Sequence, residues 1–201
     1  LAEGVAHALA LGLAGTGLPG LAVAAQIGPN PNPFPDVINV NGADDNSAVP
    51  FTNDGYIFVN GTGTVSNTGS LDNNGTLDVF PGGTIDNSGT LQVNHPGSYY
   101  GFYNAAGATI HNSNSLQISP VSAIYSGGRI YNQAGGTIDN NGILDNYGTI
   151  YNYAGAALNV NNSTDNYGVI ANYGTLKVDR PRGERALASV QRHHLQLRPE
   201  H

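Results

Sequence analysis

Cysteine, methionine and tryptophan are absent from this chain of 201 residues. Without cysteine there is neither a disulfide framework nor a thiolate metal site. Charge is scarce too: 10% of residues are Asp, Glu, Lys or Arg, where an ordinary soluble domain has about a quarter. Cations are the scarcest. Five of the seven, Arg180, Arg182, Arg185, Arg192 and Arg198, lie in the last stretch, leaving Arg129 and Lys177 elsewhere. With a formal charge of −7, the chain lacks the clustered Lys and Arg that phosphate recognition needs, which excludes nucleic acid as a partner. No stretch is long and apolar enough for a membrane span. Phosphate loops, nucleophile elbows and zinc motifs are missing from the sequence. His95 and His111 stand apart, and His193 and His194 fall in the basic tail. They read as surface histidines, because a metal site needs converging ligands, and no cofactor is expected.

What is present is 28 Gly, with abundant Asn, Thr, Ser and Tyr, which make a hydrogen-bonding surface rather than an ionic one. Residues 1–26 are rich in Ala, Leu and Gly and end in Ala22-Val23-Ala24. That A-x-A site resembles the end of a secretory signal peptide. A signal peptide without its first residues explains the missing basic segment; an apolar helix is the alternative. Residues 27–50 read as a linker or N-terminal cap, where Pro31, Pro33 and Pro35 exclude a helix.

From 51 to 178 one motif recurs, as in Gly83-Thr84-Ile85-Asp86-Asn87 and Gly136-Thr137-Ile138-Asp139-Asn140. In the first half the apolar positions Val59, Val65, Leu71, Val79, Ile85, Leu91 and Tyr99 are separated by 6, 6, 8, 6, 6 and 8, so each cycle is 20. In the second half Ile110, Ile118, Ile124, Ile130, Ile138, Leu144, Ile150, Leu158, Thr164, Ile170 and Val178 keep the same cycle. Leu91 to Ile110 is 19, so a shortened turn or irregular coil is expected within 95–107. A fixed period is the signature of a solenoid. Three steps per period predict an all-β chain folded as a parallel β-helix, three-sided, of about 20 residues per coil, each strand offering one main inward side chain. The expected ladders are Ile110, Ile130, Ile150 and Ile170; Ile118, Ile138, Leu158 and Val178; and Ile124, Leu144 and Thr164. Asn112, Asn132, Asn152 and Asn172 should form one Asn column, and Asn67 with Asn87 and Asn146 with Asn166 another. Gly128, Gly148 and Gly168 mark strand entries where positive φ is expected.

Runs such as Asn74-Gly75-Thr76-Leu77-Asp78 and Asp139-Asn140-Asn141-Gly142-Ile143-Leu144-Asp145-Asn146-Tyr147-Gly148-Thr149 resemble the passenger repeats of bacterial autotransporters and filamentous-haemagglutinin-like adhesins. The resemblance covers residues 51–178. It implies a right-handed β-helix exported to the outer cell surface or secreted, and acting in adhesion. The six-residue units also resemble left-handed hexapeptide helices, but those prefer uninterrupted sixes. The chain departs from the passenger pattern in that residues 179–201 lose the repeat and contain no translocator barrel. That tail reads either as a capping helix, with Leu187, Val190, His194 and Leu197 in a helical stripe, or as a truncated or frame-shifted end.

The outward chemistry is sparse. Asp145 and Asp165, one period apart, are a weak calcium candidate, since Ca²⁺ takes oxygen ligands. Asp86 reads as their equivalent in the first half. A polysaccharide lyase or hydrolase on this scaffold would use such acids with a basic residue, and neither Arg129 nor Lys177 falls in their register. Tyr131 with Tyr151, Tyr147 with Tyr167, and Tyr153 with Tyr173 are each 20 apart, so stacked pairs are expected. Such an aromatic strip suits binding of glycans or cell-surface components, self-association, or plain structural stacking. Ser70, Thr90, Thr109 and Thr149 read as one hydroxyl column interrupted by Arg129 and Val169, too irregular for an ice surface. The expectation is a non-enzymatic adhesin-like rod, with a polysaccharide-active enzyme or a purely structural spacer as the alternatives.

Overall fold

The computed structural model describes residues 25–45, 50–96 and 100–179. The signal-like segment up to residue 24, Tyr99 and everything after Asp179 lie outside the described residues. The described chain is all-β, without a helix, and winds as a three-sided parallel solenoid of about seven coils.

Three sheets form its sides. Sheet A stacks β1 (Ala25–Gln26), β3 (Ala43–Asp45), β6 (Thr64–Asn67), β9 (Thr84–Asn87), β12 (Thr109–Asn112), β15 (Arg129–Asn132), β18 (Thr149–Asn152) and β21 (Val169–Asn172). Sheet B stacks β4 (Phe51–Asn53), β7 (Ser70–Asn73), β10 (Thr90–Val93), β13 (Ser115–Ile118), β16 (Thr137–Asn140), β19 (Ala157–Val160) and β22 (Thr175–Val178). Sheet C stacks β2 (Val37–Val40), β5 (Tyr56–Val59), β8 (Thr76–Val79), β11 (Phe102–Asn104), β14 (Ala123–Ser126), β17 (Ile143–Asn146) and β20 (Ser163–Asn166). The solenoid starts before the repeat motif, because β2 and β3 pair with β5 and β6.

Most strands have four residues, and positions two and four point inward. Each strand therefore offers two inward side chains, not the single one expected. Position two is aliphatic almost throughout; position four is Asn, Val or Ile, except for Ser126 in β14. The Ile110–Ile130–Ile150–Ile170 ladder is present, as is Ile124–Leu144–Thr164. The remaining ladder needs correction. Ile138 pairs with Leu116 rather than Ile118, and Leu158 with Leu176 rather than Val178. Both members of each alternative face inward on the same strand, so a two-residue shift preserves the apolar pattern. The ladder aliphatics from Ile57 to Leu158 are almost fully buried, and each contributes about 1.5–3 kcal/mol relative to exposure.

The coil at the phase slip is longer, not shorter, than its neighbours. Leu77 pairs with Phe102, Ile85 with Ile110 and Leu91 with Leu116, each 25 positions on. β10 ends at Val93 and β11 begins at Phe102, so the extra residues fall between these strands.

Asparagine at position four follows from its corner chemistry. Asn132 Nδ2 donates to Asn152 Oδ1 at 2.7 Å and to the Ala157 carbonyl at 2.8 Å. One amide thus ties its own column and the first residue of the following strand one coil on. Asn67 and Asn87 belong to this same sheet A column with Asn112, Asn132, Asn152 and Asn172. They are not in the column of Asn146 and Asn166, which lies on sheet C.

Corners come in two widths. Narrow ones, as between Ile85 and Leu91, carry glycine for close approach: a Cβ on Gly148 would lie 1.9 Å from the Gly128 carbonyl oxygen, and one on Gly168 would lie 2.0 Å from that of Gly148. Positive φ is instead found in the wide corners, at Gly82 (88°), Gly107 (87°), Gly135 (86°) and Gly155 (81°). The first two join sheet C to A and the last two join sheet A to B, so the wide corner changes its place around the rod.

Candidate functional site

The interior is filled by aliphatics and amides, so any chemistry with a ligand must use the outward positions one and three of each strand or the corners between strands. Three outward aromatic groups result. On sheet C near the first coils, Phe34, Tyr56, Phe58 and Phe80 form a chain with centroids 5.8–6.1 Å apart. Further along the same side, Tyr103, Tyr125, Tyr147 and Tyr167 stack at 5.0, 4.9 and 4.7 Å with planes within 25°. On sheet A, Tyr131 and Tyr151 stack at 5.0 Å with planes 8° apart, Tyr153 lies 6.4 and 6.2 Å from them, and the His111 ring caps Tyr131 at 5.2 Å.

Two of the three pairs read from the sequence, Tyr131–Tyr151 and Tyr147–Tyr167, thus stand in contact. Tyr153 and Tyr173 share no ring contact among the described residues; Tyr153 turns toward Tyr131 and Tyr151 instead. Sequence spacing missed Tyr103 and Tyr125, because Tyr103, Tyr125 and Tyr147 recur at 22 rather than 20. Tyr103 and Tyr125 are register partners across a coil of 22, and from Tyr125 the stack passes to the corner after β17, two residues beyond its register partner Asp145. His111 does lie 20 before Tyr131, a signal that only a search beyond tyrosine would catch.

Stacking limits what the columns can do. Rings about 5 Å apart and nearly parallel cover each other's faces, so they offer edges and hydroxyls. An open aromatic face is left at a column's end. Tyr167 is 66% exposed at the last coils, and Tyr173, in the following corner, is 64% exposed.

Asp145 and Asp165 are in register on sheet C. Asp145 Oδ2 accepts a 2.7 Å bond from the Tyr100 hydroxyl, and its Oδ1 is buried without a partner. That bond, then the desolvation and negative charge around it, pushes the Tyr100 phenol up to about 12. Two carboxylates, one of them engaged by a phenol, supply few of the six to eight oxygens that Ca²⁺ takes. Asp86 is not their equivalent: it lies on sheet A, in register with His111. Arg129 is on sheet A and Lys177 on sheet B, so neither cation shares the face of the acid pair. Asp78 lies between Phe58 and Tyr103 in sheet C, and burial raises its carboxyl above the usual value. The supposed hydroxyl column also divides: Ser70 and Thr90 are on sheet B, Thr109 and Thr149 on sheet A.

Asp86 and His111 form another pairing of titratable groups on the outer surface that spacing did not suggest, in addition to Tyr100–Asp145 and the Lys177–Asp179 ion pair. His111 Nδ1 is 2.6 Å from Asp86 Oδ1, with both side chains partly exposed. They line a shallow cleft at the corner between sheets A and B.

The fold and its surface define a class, the three-sided parallel β-solenoid with outward aromatic columns. No family model matches this chain, and neither the curated proteins nor the solved structures contain a match to it.

Proposed function

We propose that this chain is a non-enzymatic rod, secreted or displayed at the outer cell surface, that binds glycans or other surface components through its outward tyrosines and their polar neighbours. The observation that carries the reading is the Tyr103–Tyr125–Tyr147–Tyr167 stack, which spans successive coils and ends on an exposed ring. Continuous phenol edges beside Asp145 and Asp165 offer hydrogen bonds at the coil spacing, the pattern that suits a repetitive polymer. The likeness of the repeats to adhesin passengers points the same way. Separation of the acid pair from Arg129 and Lys177 favours this reading over a polysaccharide lyase or hydrolase.

The test is binding to a glycan array and to cells, with a parallel assay for reducing sugar and unsaturated product. The expected result is binding without turnover, weakened in Tyr147→Ala/Tyr167→Ala protein that keeps its β-sheet circular dichroism. Turnover abolished by Asp145→Asn or Asp165→Asn would overturn the reading. Unchanged adhesion in the double tyrosine variant would point to a structural spacer.

A further inference from the structure

A uniform repeat offers the same surface at every coil, so a unique site needs a break in it. One break is the change of wide corner. The sheet A to sheet B corner is narrow after β6, β9 and β12 and becomes wide after β15, where Gln133, Ala134 and Gly135 are all exposed. The bulge forms a ledge beneath the narrow corners. Directly above it lies a cleft of about 200 Å³ whose lining includes Ser66, Asp86, Ser88, His111, Ser113 and Gln133. This is smaller than the roughly 300–1,000 Å³ of pockets for drug-sized ligands, and matches a single small ring.

We infer that this cleft is a subsite for one neutral sugar unit of a glycan. Its lining side chains are hydroxyls, amides and one carboxylate–imidazole pair, groups that pair with a polyol. A carboxylate oxygen accepts, so His111 Nδ1 carries the hydrogen toward Asp86 Oδ1, and Nε2 is left for a sugar hydroxyl. Asp86 retains a second oxygen for a sugar hydroxyl. Ser88 and Ser113 already donate to the Asn67 and Asn87 carbonyls, which leaves their oxygens to accept. Gln133 supplies both a donor and an acceptor from the ledge. An acidic sugar fits less well: Asp86 repels it, and Arg129 registers with Thr109 rather than His111. Tyr131, capped by His111, continues the site toward Tyr151 and Tyr153 on the next coil.

The inference rests on reading the rod as a glycan binder, and its test separates the two. The full chain, labelled with ¹⁵N, is titrated with methyl galactoside and, in a second arm, with galacturonate. The expected result is saturable shifts at the backbone amides of 66–68, 86–88, 111–113 and 133, weaker with galacturonate. Asp86→Asn, nearly isosteric, should weaken binding of methyl galactoside about tenfold, equivalent to about 1.4 kcal/mol. Tyr167→Ala should leave these shifts unchanged. Shifts confined to the tyrosine columns, or none with either sugar while the array still binds in a Tyr147- and Tyr167-dependent way, would overturn the cleft and leave the broader reading standing. Equal binding of the acidic sugar would overturn the neutral-sugar assignment.

Discussion

Sheets A and C carry the same device in different states of completion. On sheet A, six asparagines from Asn67 to Asn172 pass one amide bond to the next at 2.7–2.8 Å without a break, even across the coil of 25. On sheet C, Ser126 stands where an asparagine would. Asn104 Nδ2 reaches Ser126 Oγ at 3.1 Å, but Asn146 Oδ1 on the next coil is buried with no partner. A hydroxyl on a short side chain receives a bond from above and cannot pass one below. The backbone runs on unchanged through both, since β14 pairs with β17 in full register. Coil stacking is thus fixed by backbone and aliphatics, while the amide column determines whether buried polar atoms are satisfied, at about 1–3 kcal/mol for each one left unpaired.

The largest expected effect comes from breaking the complete column. Asn132→Ala removes two donated bonds and one accepted bond, leaves Asn152 Oδ1 and the Ala157 carbonyl without that donor, and should cost about 2–4 kcal/mol. Asn146→Ala, in the interrupted column, should cost clearly less, because its Oδ1 contributes no bond to lose. Denaturant midpoints of the two variants measure the difference; equal losses would show that column continuity carries no weight.

A smaller effect separates the outer faces. Asp78 sits between aromatic residues on sheet C, and burial raises its carboxyl. The folded state therefore binds that proton more tightly than the unfolded state does. The group opposes folding at pH above its folded value and ceases to do so as pH falls through it. Asp78→Asn should raise the melting midpoint by a degree or so at neutral pH and lose that advantage in acid; a lower midpoint at neutral pH would refute the assignment.

Smaller still is the Tyr100–Asp145 bond. With the phenol raised from 10.0 to about 12, its contribution is complete below pH 10 and is lost as pH rises toward 12. Tyr100→Phe should flatten that part of the stability profile and leave the neutral range nearly unchanged, as read by thermal melts across alkaline buffers.

Much of this was legible in the sequence, and the failures have separate physical causes. The period of 20 and two of the three ladders were readable because β-branched residues at fixed spacing mark inward positions. Leu116 and Ile118, or Leu176 and Val178, were not separable: a shift of two keeps every side chain on its own face, and only the corner widths determine the register. The coil of 25 was hidden for the same reason, since Val93 and Phe102 can each serve as an inward residue. The inward placement of asparagine was missed because a polar side chain reads as a turn residue unless its hydrogen-bond partners, one coil away, are known. The Asp86–His111 cleft depends on where the wide corner moves, which no single motif encodes.

The claim that amide continuity distinguishes sheet A from sheet C is tested most directly by a reciprocal exchange, Ser126→Asn and Asn132→Ser, compared by equilibrium unfolding with the native fold checked by amide spectra. Opposite signs are expected: Ser126→Asn raises stability by about 1 kcal/mol by supplying the donor that Asn146 Oδ1 lacks, and Asn132→Ser lowers it by more. A loss of stability in both variants, with the native fold retained, would contradict it.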